Sequence, residues 1–177
     1  MTANSYQAIA TAPGFSLGVQ CTDDEVTGID FLEPCPEPAP STPLAAEAVR
    51  QLKAYIADPN FTFGLPLRPA GTAFQRRVWE QISAIPTGQT DTYGQLAKNL
   101  KNAARAVGQA CGSNPYPVVV PCHRVVAAGG GLGGFARERG GFLLDVKRWL
   151  LTHENSMLGS KFASCTVAAC CCQAQKA

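Results

Sequence analysis

The fold of this chain is decided around residues 102–126, which read NAARAVGQACGSNPYPVVVPCHRVV. Asn102 can cap a helix over Ala103–Cys111, and the glycine that follows can end it. Asn114-Pro-Tyr-Pro117 predicts a turn, because asparagine and proline both favour turn geometry. The three valines Val118–Val120 then predict a short buried strand that leads to a cysteine.

Two further helices are predicted upstream of this stretch. Thr72 can cap the first of them, Ala73–Ile85, and Pro86-Thr-Gly88 can stop it. The second covers Thr90–Leu100, with its apolar residues on one side. Together with Ala103–Cys111 it gives a helix-turn-helix pattern, which is weak by itself because any helical hairpin looks similar.

The helix Ala103–Cys111 has an unusual surface, with Arg105 as its single cation and a series of small residues. The small residues are Ala103, Ala104, Ala106, Gly108 and Ala110. Small side chains let a helix backbone approach another surface closely. Two interpretations stay open: a helix packed tightly inside the protein, or a helix pressed into a DNA groove with Arg105 aimed at the duplex.

The N-terminal part is predicted to be a small α/β unit without recognisable chemistry. Gly14–Val19 and Val26–Leu32 indicate a hairpin of two short strands. Residues 33–43 contain five prolines and predict a loop. Leu44–Asp58 has apolar residues at helical spacing. The fold class is therefore α+β, with a small N-terminal α/β domain before a mostly helical C-terminal domain.

Domain boundaries follow from these elements. Pro69–Gly71 marks the end of an N-terminal supporting domain, residues 1–70, and the start of a DNA-binding and active-site domain, residues 71–154. The tail, residues 155–177, shows no sustained periodicity, and we expect it to be disordered. A tail that contacts a membrane or a metal ion is the alternative.

Charge is divided unevenly between the two parts. Residues 1–70 hold three Lys or Arg against eight Asp or Glu, whereas residues 71–154 hold ten against five. A basic segment behind an acidic one suggests that the second part meets an anion such as nucleic acid. Uneven surface charge without function is the alternative.

Eight cysteines are present, and their pattern argues against a disulfide framework or a zinc site, because no two C-x-x-C pairs occur. No uncharged apolar run approaches the roughly 20 residues needed to span a bilayer. The N-terminus lacks the features of a signal peptide. We therefore expect a cytoplasmic protein with access to DNA, no membrane contact and reduced cysteines.

Cys122 is the candidate nucleophile because it follows an apolar run and lies between Pro121 and His123. The thiolate is the reactive form of cysteine, and a nearby base or positive charge would raise its fraction. The chain has two histidines, so a histidine base is either His123 or His153. A buried structural cysteine is the alternative.

Pro121-Cys-His-Arg-Val125 resembles the active-site motif of the O6-alkylguanine-DNA alkyltransferases, also called methylated-DNA–protein-cysteine methyltransferases. The resemblance covers residues 71–154 in one order and with compatible spacing. The other matching segments are residues 71–79 (GTAFQRRVW), 85–88 (IPTG), 92–97 (TYGQLA), 103–108 (AARAVG), Asn114-Pro115 and residues 147–154 (KRWLLTHE).

The resemblance implies a direct-reversal DNA-repair protein that moves an alkyl group from O6 of guanine to Cys122, with O4 of thymine as a second candidate substrate. His123 would draw the thiol proton, through a water, and Glu154 would hold and polarise that histidine. Asn114 would fix the turn that presents Cys122. The resulting thioether is permanent, so the protein would act once and would need no cofactor or metal ion.

The resemblance also implies how DNA is held. Tyr93 would donate a hydrogen bond to the guanine ring and help to push the nucleotide out of the stack, and Arg105 would fill the space it leaves. The partner would be double-stranded DNA, bound by a monomer through the minor groove with little sequence preference. Ala103, Ala104 and Gly108 would face the DNA. The substrate pocket would be lined by Cys111, Pro117, Phe135 and Ala136, with Lys147 near its rim.

Three departures from the family pattern are visible. The turn Asn99–Asn102 lacks the Gly-Asn-Pro common in relatives, and Phe135 stands where some relatives have tyrosine. The loop Gly129–Phe142 has seven glycines and is longer than in many relatives, which leaves the size of the alkyl group open. A cysteine hydrolase and a protein that only binds the lesion remain alternative functions.

Overall fold

The computed structural model describes residues 6–136 and 140–154, and its α+β architecture confirms the predicted fold class. The N-terminal part holds a three-stranded antiparallel sheet in the order β1-β2-β3. Its strands are β1, Ala8–Ala12; β2, Phe15–Cys21; and β3, Val26–Leu32. The predicted hairpin is β2 and β3, while β1 was missed because its short alanine-rich stretch carries little strand signal.

The sheet is covered by helix α1, Pro43–Ala57. Thr42 caps this helix, since its side chain accepts a hydrogen bond from the backbone N–H of Ala45 at 3.1 Å. Proline as the first helical residue suits this position, because its missing N–H would have no intrahelical partner there. The connection that follows α1 returns to the sheet edge, where Leu67 pairs with Val26.

The C-terminal part contains four helices among the described residues. They are α2, Ala73–Ser83; α3, Tyr93–Asn99; α4, Ala104–Gly112; and α5, Phe142–His153. The Thr72 cap is confirmed and is extended to a capping box with Gln75. Helices α3 and α4 pack together as the predicted helix-turn-helix.

One predicted cap is wrong. The N-cap of α4 is Ala103, which makes no side-chain cap hydrogen bond. Asn102 lies one residue too early, and its side-chain oxygen accepts a hydrogen bond from the N–H of Ala103 at 2.8 Å instead. Lys101 has a positive φ of 52°, so the chain reverses before Asn102 and fixes where the helix can begin.

The predicted strand Val118–Val120 is also wrong, since these residues form a tight turn. Val118 has a φ of 74°, and the N–H of Val120 donates to the carbonyl of Tyr116 at 2.8 Å. Prolines flank the three valines on both sides and cannot donate to a sheet, so the run is too short to pair. The strand of this region lies after the cysteine: β5, Val125–Val126, pairs in parallel with β4, Asp91–Thr92.

Buried apolar residues from both parts form one continuous core, which includes Leu17 and Leu52 on the N-terminal side and Val78, Leu96 and Leu150 on the C-terminal side. The division after residue 70 therefore remains a prediction. The expected disordered tail lies outside the described residues, as do positions 137–139 of the glycine-rich loop. Within the described ranges, no helix combines the length and apolar character needed to cross a membrane.

Candidate active site

Cys122 begins a single 3₁₀ turn, Cys122–Arg124, and is buried at the floor of a cleft. Its backbone N–H donates to the carbonyl of Val120 at 2.8 Å. Asn114 fixes the preceding turn from inside, because its Nδ2 donates to the Val120 carbonyl at 2.8 Å and its Oδ1 accepts from the N–H of Tyr116 at 3.0 Å. The structure thus brings Asn114 and Cys122 together.

The thiol of Cys122 is held mainly in its neutral form. Burial raises its pKa, while a hydrogen bond from the Asn114 side chain and the nearby charge of Lys147 act in the opposite direction. A group that takes the proton at the moment of reaction is therefore needed to make this thiol nucleophilic.

Glu154, the residue after α5, is the centre of a buried hydrogen-bonded network. Its Oε1 lies 2.8 Å from Nε2 of His123, and Arg124 binds both carboxylate oxygens at 2.9 Å through Nη2 and Nε. The guanidinium also donates to the carbonyl of Ile85 at 2.6 Å and to the hydroxyl of Thr87 at 3.2 Å. The bidentate geometry is the strongest that an arginine and a carboxylate can adopt.

These contacts fix the protonation of His123. Burial alone would raise the pKa of Glu154, but hydrogen bonds from His123, Arg124 and Tyr55 outweigh it and hold that pKa well below its usual range. Burial also lowers the pKa of His123, against the opposing pull of Glu154. An ionised Glu154 can only accept, so the proton of a neutral His123 lies on Nε2.

The other ring nitrogen of His123 is then a free base. Nδ1 is buried, and it has no hydrogen-bonding partner among the described residues. Because its lone pair is unused and the ring follows Cys122 directly in the chain, this nitrogen is suited to receive the thiol proton. His153, the other histidine, is stacked on Trp149 with ring centroids 4.7 Å apart.

The cleft above Cys122 has a volume of about 1030 Å³. Three of the residues predicted for the pocket lie on its wall, namely Cys111, Phe135 and Ala136, and so do Tyr93, Ala104, Arg105 and Gly108. Burial raises the pKa of Cys111 to about 12, so this second thiol is also neutral. Pro117 does not line the cleft, because the turn buries it behind the wall.

Lys147 is not at the rim, as the sequence had suggested, but fully buried. Its ammonium donates to the carbonyls of Val125 and Leu132 at 2.7 Å and of Gly134 at 3.2 Å, so it fastens the glycine-rich loop to β5. Burial lowers its pKa to about 8, and the neighbouring cysteines oppose that shift.

Tyr93, the first residue of α3, forms one side of the cleft. Its hydroxyl donates to the carbonyl of Gly134 at 3.0 Å, which ties it to the glycine-rich loop. Gly133 lies against its ring, and a Cβ at that position would come within 2.9 Å of it. The tyrosine and the loop are therefore packed as one wall.

Helix α4 presents its small residues outward except for Ala110. Ala103, Ala104 and Arg105 are exposed, and Gly108 is half-buried, whereas Val107 and Ala110 face the core. The interpretation of an entirely internal helix is therefore wrong. Ala103 is the N-cap and lies outside the cleft, while Arg105 stands at its edge.

Two residues of the network were missed at the sequence level. Arg124 had been quoted within the active-site motif without a role, and its position next to His123 was the available signal. Tyr55 lies in α1, and its hydroxyl donates to Oε1 of Glu154 at 2.7 Å across 99 positions of sequence. No local pattern could have indicated that contact.

Comparison with known proteins gives one consistent result. A family described as "6-O-methylguanine DNA methyltransferase, DNA binding domain" matches residues 73–156. The chain is 48% identical over 112 residues to the methylated-DNA–protein-cysteine methyltransferase of Methanosarcina acetivorans, covering 62% of this chain and 69% of the relative. It is 43% identical to the constitutive enzyme of that name from Bacillus subtilis, covering 60% and 68%.

A solved structure extends the likeness to both parts of the chain. The crystal structure of Mycobacterium tuberculosis OGT in complex with DNA superposes with a TM-score of 0.70 at 35% identity, covering 87% of this chain and 97% of that one.

Proposed function

The chain belongs to the methylated-DNA–protein-cysteine methyltransferase family, and we propose that it repairs DNA by moving an alkyl group from O6 of guanine irreversibly to Cys122. The observation that supports this most directly is the buried Cys122 beside a neutral His123 whose Nδ1 is unused and whose Nε2 is held by Glu154. O4 of thymine is a second candidate substrate.

The reaction follows from the protonation states of the site. Nδ1 of His123 takes the thiol proton of Cys122, through a water, and the positive charge this creates is balanced by Glu154. The thiolate attacks the alkyl carbon, a carbon–sulfur bond forms and the carbon–O6 bond breaks. The leaving guanine keeps the bonding electron pair and is then protonated. No cofactor or metal ion takes part in this displacement.

The product explains why the protein acts once. A thioether has no acidic proton and its carbon–sulfur bond is not broken by water under mild conditions, so Cys122 does not return to thiolate. The protein is consumed in proportion to the lesions it repairs, and it is a transferase by reaction type without turnover.

The outward face of α4 is the proposed DNA contact. Exposed Ala103 and Ala104 allow the helix to lie closely in the minor groove, and Arg105 at the edge of the cleft fills the gap left by the flipped nucleotide. Tyr93 would exchange its bond to Gly134 for one to the guanine. Such contacts to backbone and groove carry little sequence preference. We propose a monomer, acting in the cytoplasm or wherever DNA and reduced thiols meet.

Intact-mass spectrometry tests the proposal. The full chain is mixed with a duplex that contains O6-methylguanine, and one CH₂ unit of added mass on Cys122 is expected per protein molecule. Cys122→Ala should gain no mass while still binding DNA, and Cys35→Ala, at a free cysteine outside the cleft, should react like the wild type.

The other outcomes identify the alternatives. Repaired DNA beside unmodified protein would indicate a hydrolase, and intact lesions with bound but unmodified protein would indicate a lesion-binding protein. Either result would overturn the proposal.

A further inference from the structure

We infer that Tyr55, a residue of the N-terminal part, is a positioning residue for alkyl transfer, because its hydroxyl donates to the same Glu154 oxygen that holds His123. The inference rests on the proposed function. It also gives the N-terminal part a role in the chemistry, through a single hydrogen bond.

The two oxygen atoms of the Glu154 carboxylate differ in the number of hydrogen-bonding contacts they make. Among the described residues, Oε1 is contacted by Tyr55 at 2.7 Å, His123 at 2.8 Å and Nη2 of Arg124 at 2.9 Å, whereas Oε2 is contacted by Nε of Arg124 alone. Tyr55 and His123 therefore draw on the charge of one oxygen atom. A stronger hydrogen bond from Tyr55 therefore makes Oε1 a weaker acceptor for the hydrogen bond from His123.

Tyr55 is a permanent donor. Its side chain is 2% exposed, and burial followed by the charge of Glu154 raises the pKa of the phenol far above its usual range. The hydroxyl consequently keeps its proton near neutral pH and acts as a donor.

The position of Tyr55 is fixed by a second contact to the same end of α5. Nε2 of His153 lies 2.8 Å from the backbone carbonyl of Tyr55, and the two rings meet edge to face at 5.4 Å. On its other side the Tyr55 ring packs against Phe63 at 5.6 Å. The side chain of Tyr55 thus binds Glu154 and its backbone binds His153, and the two contacts together hold the C-terminal end of α5 against α1.

The consequence is a change in the basicity of His123. The titratable and charged groups that act on His123 are Arg124 from its own turn, Lys147 from α5, and Glu154, the residue after α5. Tyr55 of α1 acts through its hydrogen bond to Glu154. If the Tyr55 hydroxyl is removed, Oε1 becomes a stronger acceptor for the Nε2 proton. The imidazolium is then favoured, and the pKa of His123 rises.

The test is the rate of alkyl transfer as a function of pH, measured on the full chain at saturating O6-methylguanine duplex. Transfer requires neutral His123, so the rate falls as the pH drops below the pKa of His123. This fall is the acid limb of the pH profile. In Tyr55→Phe the acid limb should move to higher pH by about half a pH unit to one pH unit, because one hydrogen bond to a charged group is lost. At pH values below the limb, transfer should therefore be about three- to tenfold slower than in the wild type. The rate on the alkaline plateau should stay near that of the wild type.

Tyr6→Phe is the matched control. It makes the same change in the same part of the chain and removes a hydroxyl that donates to Asp30 at 3.0 Å, so its acid limb should coincide with that of the wild type. Thermal unfolding of all variants is recorded alongside, because a merely structural tyrosine would change stability without moving the limb.

Replacing Tyr55 with a fluorinated tyrosine keeps the ring and hydroxyl but strengthens the donor, so the acid limb should move to lower pH. This second variant decides the question if Tyr55→Phe does not fold. An unmoved limb in a folded Tyr55→Phe or in the fluorotyrosine protein would overturn the inference while leaving the proposed function intact. Absence of transfer in the wild type would instead overturn the proposed function.

Discussion

Arg124→Met is the change that tests the buried network most directly. To the part of the chain that the structure describes, the guanidinium makes four hydrogen bonds: two to Glu154, one to the Ile85 carbonyl and one to Thr87. Methionine fills similar space but leaves the carboxylate without its counter-charge and the carbonyl without its donor. Removing one partner of a buried pair costs about 3–5 kcal/mol, and we expect the free energy of unfolding to fall by that amount.

The measurement is urea unfolding near neutral pH, with Arg148→Met as the matched control. Arg148 lies on α5 and pairs with Asp145 at the surface, where such pairs contribute at most about 1 kcal/mol. In the double variant Arg124→Met with Glu154→Gln, no buried charge is left unpaired, so part of the lost stability should return. A loss no larger than that of the control, or a double variant less stable than Arg124→Met alone, would refute the reasoning.

Three further outcomes are expected. Because the pKa of Glu154 is lowered in the folded protein, its contribution to stability is complete above the ordinary glutamate pKa of about 4.3 and is lost as the pH falls below that value. The stability of Glu154→Gln should therefore depend less on pH in acid unfolding than that of the wild type. An unchanged pH dependence would contradict this. Gly133→Ala and Gly129→Ala both strain a positive φ, of 69° and 78°, but only the first also brings a Cβ against Tyr93. Thermal unfolding should therefore show a loss for both variants that is larger for Gly133→Ala, and the transfer rate should fall only for Gly133→Ala. Arg105→Ala should slow transfer from duplex DNA more than transfer from free alkylated guanine. Equal effects on the two substrates would exclude the proposal that Arg105 fills the space left by the flipped nucleotide.

Local rules predicted the local features of this chain well. The Thr72 cap and the strand Val26–Leu32 depend on side chains next to the backbone they organise, and both are confirmed. The same rules failed at Val118–Val120, because the flanking prolines outweigh the strand preference of valine. Asn102 failed as a cap because the reversal at Lys101 sets the helix start one residue later.

The site was predictable only where its residues lie within the recognised motifs. Cys122, His123, Asn114 and Glu154 come together as expected, although their roles in transfer remain proposals. The resemblance placed Lys147 near the rim of the pocket, whereas it is buried. The three backbone carbonyls that accept hydrogen bonds from its ammonium cannot be read from sequence.

The bond between Tyr55 and Glu154 also bears on the order in which the molecule folds. Contacts across such a span form slowly, because a long loop must close before they contribute any free energy. The hydrogen-bonded network around Glu154 also includes Ile85, Thr87 and Arg124, which come from separate stretches of the chain. A nascent or partly folded chain therefore carries Cys122 as an ordinary thiol, without an oriented base beside it. The complete arrangement of Cys122, His123 and Glu154 therefore exists only after α1 has packed against the end of α5.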